Sequence, residues 1–101
     1  MAKTSKIAQN NHRIRLTKKF KAKRDELRIK SKDESLTLED RMAASAKLAQ
    51  LPRNSAAARV RNRCLLTGRP RGNFQKFGLS RIKFRELANH GELSGVTKAS
   101  W

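Results

Sequence analysis

The chain has 101 residues, the length of one small domain, and carries 25 lysines and arginines against 8 aspartates and glutamates, a formal net charge of +17. With hydrophobic residues at 37%, it can bury only a small core, and its self-repulsion calls for a polyanionic partner. A single cysteine, no apolar run near the ~18 residues of a membrane span and an N-terminus without the apolar stretch of a secretory signal exclude a disulfide scaffold and a membrane-spanning protein, and fit a reducing compartment.

In chain order, the first predicted helix covers Ser5 to Lys30, a stretch without Gly or Pro and rich in helix formers. Its apolar residues form two thin stripes, Leu16, Phe20 and Leu27 on one side and Ile7, Ile14 and Ile29 nearly opposite. A helix docked on one core shows one broad stripe, so this one is expected to be long and to touch several partners. A second helix is signalled by Thr37 as N-cap, Glu39 and Asp40 in the first turn and Pro52 as the stop. Leu38, Met42, Ala46 and Ala49 share a face whose small residues would let another helix come close.

"LPRNSAAARVRN" then reads as a link, since Pro52 ends a helix and Asn54-Ser55 favours a turn. Charge changes across it: six of the eight acids lie between Asp25 and Asp40, whereas Arg59 to Arg85 holds nine bases and no acid. Beyond it, Gly68, Pro70, Gly72 and Gly78 leave room for turns and one short hairpin. A third helix is expected over Arg81–Asn89, with Ser80 as N-cap and Gly91 as the stop. Phe84, Leu87 and Ala88 face one way, and Arg81 and Arg85, four apart, face another where they can grip neighbouring phosphates. The expected fold is mostly α: an extended helical half over residues 1–51 and a small irregular basic knuckle, short helix and tail over 52–101.

Catalysis has little support. His12 and His90 lie in different segments, each without a carboxylate pair, and no phosphate loop of Walker or Rossmann type is present. Cys64 has arginine neighbours but no nearby histidine to act as base. The bases Arg59, Arg61, Arg63, Arg69, Arg71, Lys76, Arg81, Lys83 and Arg85 form instead the expected nucleic-acid surface. Arginine dominates, and its planar fork suits phosphates and base edges. Interleaved glycines allow close backbone approach, and Phe74, Phe77 and Phe84 are available for a small core or for stacking. Folded RNA, with its irregular loops, suits such a surface, and no duplex-DNA module stands out. Lys98 and the terminal Trp101 join the set, the indole as an anchor.

Cys64 and Thr67 are three apart, as are Ser80 and Lys83, with twelve residues between the pairs. Four cysteines at these positions would give the spacing of a zinc knuckle. Thr67, Ser80 and Lys83 are not good zinc ligands, so no metal and no other cofactor is expected. Packing is expected in its place: Cys64 buried as a small hydrophobe, Leu65, Leu66, Phe74, Phe77, Leu79 and Phe84 filling the space between the turns, and Lys83 pointing outward.

The segments "RNRC", "TGRPRG", "KFGLSRIKFRELA" and the terminal "KASW", with "LPRNS" and the longer N-terminal half, resemble the bacterial small-subunit ribosomal protein family numbered fourteen, in its zinc-free branch. The resemblance covers the whole chain, closely over 52–101 and weakly over 1–50. One departure is "ELSGV", where Ser94 stands in the place of a common proline, which affects local turn stiffness. The resemblance implies a structural constituent of the small ribosomal subunit that binds its ribosomal RNA in the head, supports assembly and shapes the aminoacyl-tRNA site. It implies contacts with the third, tenth and nineteenth proteins of that subunit, no membrane, no small-molecule substrate, and a cytoplasmic ribosome, an organellar one staying open. The other readings are a free-standing RNA- or DNA-binding regulator and, more weakly, a membrane-active basic peptide. The first helix lacks the single apolar face the latter needs.

Overall fold

A computed structural model describes residues 1–100. Among them are three α-helices, α1 (Thr4–Lys32), α2 (Leu38–Gln50) and α3 (Arg81–Asn89), two 3-10 turns (Arg53–Ser55 and Ala57–Arg59), and two short strands, β1 (Asn73–Phe74) and β2 (Leu79–Ser80). The chain is mostly α with a small irregular C-terminal region, as its sequence implies. It forms two compact units, one over Ala8–Val60 and the other joining Met1–Ile7 to the chain from Arg61 onward. No helix among the described residues is long and apolar enough to cross a membrane.

In the Ala8–Val60 unit, Leu27 of the first α1 stripe is buried and Leu16 and Phe20 are half-buried; of the opposite stripe, Ile14 is half-buried as well and Ile29 is exposed. The outer face carries an i,i+4 pair, Lys30 Nζ to Glu26 Oε1 at 2.8 Å. A turn follows in which the Ser35 N–H and hydroxyl both donate to Asp33 Oδ1, at 3.0 and 2.7 Å. Thr37 then caps α2, its hydroxyl accepting from the Asp40 N–H at 3.3 Å.

The buried side of α2 differs from the expected one. Leu38, Met42, Ala46 and Ala49 face solvent, while Ala44 is buried and Arg41 and Leu48 are half-buried. Arg41, Ala44 and Leu48 have helical spacing as well, and an arginine counts as polar in sequence although its aliphatic stem covers apolar surface.

After α2 the "LPRNS" turn is locked by Arg24. Its Nε donates to Ser55 Oγ at 2.8 Å and its Nη2 to the Pro52 carbonyl at 3.2 Å, while the Ser55 hydroxyl donates to that same carbonyl. One guanidinium therefore satisfies both acceptors of a turn whose serine is almost fully buried.

In the other unit, β1 and β2 form an antiparallel hairpin with Asn73 opposite Ser80 and Phe74 opposite Leu79. Gly78, at φ +65°, closes its turn by donating to the Phe74 carbonyl at 2.9 Å. β2 runs straight into α3, where the Ser80 hydroxyl accepts from the Lys83 N–H at 3.3 Å. The Cys64–Thr67 turn is sewn to this hairpin by Leu65 N–H to Gly78 O at 2.9 Å, and Arg81 N–H bonds Gly72 O at 2.8 Å. Phe84 sits between Phe74 and Phe77, at centroid distances of 4.6 and 5.0 Å.

Not all the expected packing residues fill the knuckle. Leu79 is buried, but Leu65 and Leu66 are 80% and 55% exposed. Part of the space is taken from the far end of the chain. The Ala2 N–H bonds the Thr67 carbonyl at 3.2 Å, and Ile7 lies against Gly68 so closely that a Cβ there would come within 2.6 Å of Ile7 Cδ1. Leu65 and Leu66 sit at the tip of a tight turn, where adjacent side chains cannot all point inward.

Gly68 and Gly95 have nearly the same left-handed backbone, φ +76° and +75°, but nothing lies within 4 Å of a Cβ at Gly95. Gly95→Ala is expected to cost about 1 kcal/mol from backbone strain alone. Gly68→Ala adds a collision with Ile7 and is expected to cost about 2–4 kcal/mol. Denaturant unfolding of the two variants measures the difference.

Candidate nucleic-acid interface

The centre of the C-terminal unit is the Cys64 side chain, 3% exposed. Burial pushes its thiol up. Against that, hydrogen bonds from the Thr67 side chain and from the N–H groups of Ser80, Thr67 and Leu66 favour the thiolate and bring it down to about 6. Cys64 is a free cysteine buried as the sequence suggests. Thr67 and Ser80, the positions that match a zinc spacing, do converge on it. Lys83 does not: its Nζ pairs with Glu86 Oε2 at 2.9 Å. Among the described residues, no cluster of three or more His, Cys, Asp or Glu stands close enough to hold a metal ion.

The arginines around this centre divide by what they already hold. Arg63 is half-buried and donates through Nη1 to the Gly68 carbonyl at 2.8 Å, so it braces the turn. Arg69 Nε donates to Arg71 O at 3.0 Å, and Arg61 Nε to Pro70 O at 2.9 Å. Arg61 is exposed and Arg69 half-buried. Arg71, Arg81, Arg85 and Lys98 are exposed, and Lys76 is exposed with its ammonium 5.7 Å from the Phe77 ring centroid. Arg59 belongs to the Ala8–Val60 unit and donates to Asn54 Oδ1 at 2.9 Å. Trp101 lies outside the described residues.

Three of the expected residues meet at one place. Arg81, Arg85 and Lys98 line an open groove of about 620 Å³ between α3 and the 96–98 segment, together with Phe74, Phe84 and Val96. The sequence points to Arg81 and Arg85 by their four-residue spacing. It gives no sign of Val96, which arrives through the turn after Gly91, at φ +74°, where the Glu92 N–H bonds back to Leu87 O at 3.0 Å.

The chain is core-poor, strongly basic and mostly α, with exposed arginines around a small knuckle, features common to the proteins of ribonucleoprotein particles. The family described as ribosomal protein S14p/S29e matches residues 47–100. Over their full lengths, the chain is 54% identical to the small ribosomal subunit protein uS14 of Gluconobacter oxydans and 52% identical to that of Methylorubrum populi. It is also 54% identical over its whole length to the small ribosomal subunit protein uS14A of Myxococcus xanthus. The chain belongs to the ribosomal protein S14 family, a structural and non-enzymatic family.

The depressed thiol gives a pH dependence. An unfolded cysteine titrates near 9.0 and the folded Cys64 near 6. The stabilisation is therefore fully present above pH 9, falls by about 1.4 kcal/mol per pH unit as pH drops from 9 to 6, and is absent below. Denaturant midpoints measured from pH 6 to 9 are expected to rise more steeply for the natural chain than for Cys64→Ser. Ultraviolet absorbance of the thiolate locates the folded titration directly.

Proposed function

We infer that this chain is a structural constituent of the small ribosomal subunit and works by binding small-subunit ribosomal RNA. The observation that carries this is a coincidence of place: the family match over 47–100 encloses the acid-free stretch from Arg59 to Arg85. Arg59, Arg61, Arg63, Arg69, Arg71, Lys76, Arg81, Lys83, Arg85, Lys98 and Trp101 are the proposed RNA-facing set. Within it, Arg63 also braces the knuckle through its bond to the Gly68 carbonyl, and Lys83 pairs at the surface with Glu86. The proposed division of labour is a helical extension over 1–51 and an RNA-binding part over 52–101.

On this reading the protein sits in the head of the subunit of a cytoplasmic ribosome, aids assembly and helps shape the aminoacyl-tRNA site. Its protein neighbours are the third, tenth and nineteenth of the same subunit. Six of the eight acids, with the exposed Leu38 and Met42, lie in residues 25–42 of the extension. With the four bases Arg28, Lys30, Lys32 and Arg41 against those six acids, this stretch lacks the basic excess of the rest of the chain and suits a protein neighbour better than RNA. A free-standing regulator is not favoured, since the relatives that match over the full length carry the names of small-subunit proteins.

The chain is expected to co-sediment with small subunits in high-magnesium buffer, and a chain that stays at the top of the gradient would refute the reading. RNA affinity is expected to fall with salt at a log–log slope of about −4 to −6, as for roughly six phosphates neutralised. Changing Arg81 and Arg85 together to Ala is expected to flatten that slope by about 1 to 2. An unchanged slope would remove both from the interface.

A further inference from the structure

The groove between α3 and the 96–98 segment has features that phosphate binding alone does not need. Its volume, about 620 Å³, is that of a small-molecule pocket, and phosphates can be held on a flat surface. Phe74 is 46% exposed, in a chain with little apolar surface to spare for its core. It packs on Phe84 with centroids 4.6 Å apart and planes tilted by 49°, and it lines this groove as well as a smaller hollow beside Asn62 and Gln75. Val96 adds a second apolar surface, and Arg81, Arg85 and Lys98 surround both with positive charge. The acid in the lining, Glu86, has its carboxylate taken up by Lys83 at 2.9 Å, so it does not cancel that charge.

We propose that this groove seats one unstacked RNA base, laid on the Phe74 ring and against Val96, with its flanking phosphates on Arg81, Arg85 and Lys98. The proposal rests on the ribosomal-RNA-binding reading and narrows it to an unpaired nucleotide in a loop or bulge. Every base has a π-face that an aromatic ring can take, and single-stranded loops are where RNA splays bases out. An apolar protein side chain could fill the apolar part but would leave three cations unanswered. A paired helix could answer the cations but would leave the ring bare.

The test uses small subunits reconstituted with the full-length chain. Ultraviolet crosslinking followed by mass spectrometry is expected to place a nucleotide on Phe74 or Phe84. Chemical probing is expected to find one unpaired base shielded in these particles. Phe74→Ala should raise the reactivity of that base about tenfold, whereas Phe74→Trp should keep it covered. Phe74→Leu, which keeps apolar bulk without the π-face, should expose it too. If the chain enters the particle yet yields no adduct at either ring and Phe74→Ala changes no base, the proposal fails and the ribosomal reading stands. An adduct joining these rings to another protein, or to the chain's own C-terminal residues, also overturns it. If the natural chain does not enter the particle at all, both readings fail together.

Discussion

Backbone hydrogen bonds around the buried Cys64 order the C-terminal unit: Cys64 N–H to Arg69 O at 3.0 Å, Leu65 N–H to Gly78 O at 2.9 Å and Arg81 N–H to Gly72 O at 2.8 Å. Cys64 and Leu65 belong to one turn, whereas Gly78 and Arg81 flank β2. The Leu65–Gly78 bond thus ties the turn to the hairpin that leads into the helix. Ser80 caps α3 through its own hydroxyl and fixes where the helix begins. From that origin Arg81 and Arg85 project to the groove and Phe84 reaches between Phe74 and Phe77.

The positive charges of such a chain are not interchangeable. Arg24 bonds a carbonyl and a buried serine within the fold, Arg63 bonds a carbonyl through Nη1, and Lys83 pairs with a carboxylate. Arg81, Arg85 and Lys98 are exposed at the groove. Arginine suits the first group because one planar fork can serve two acceptors at once, as Arg24 does for Ser55 and Pro52. Replacing Arg24 by lysine would keep the charge yet give up that two-point geometry.

Much of the fold was legible because local chemistry decides it. Thr37 and Ser80 cap where their side chains and the following sequence place them, Pro52 ends α2, and the third helix runs from Arg81 to Asn89 as its flanking signals require. The spacing of Cys64, Thr67 and Ser80 also revealed which positions converge. What escaped the sequence has two causes. Apolar periodicity could not choose between two helical stripes on α2, since the stem of Arg41 is invisible to a hydropathy count. The packing of Ile7 and Ala2 on the knuckle joins residues about sixty positions apart, and no local pattern announces such a contact. The same distance explains why Leu65 and Leu66 were overrated as filling: the space was already claimed from the other end of the chain.

That long-range contact sets an order of events during synthesis. Ala2 and Ile7 are made early, but their partners Thr67 and Gly68 are added some sixty residues later. The hairpin and the cap of α3 follow later still. While the Ala8–Val60 segment can begin to organise on the way out, the C-terminal unit must wait with its first strut dangling until the last third of the chain emerges. An extension fused ahead of Met1 would then act at the closing step, crowding the Ala2–Thr67 bond before the knuckle has shut.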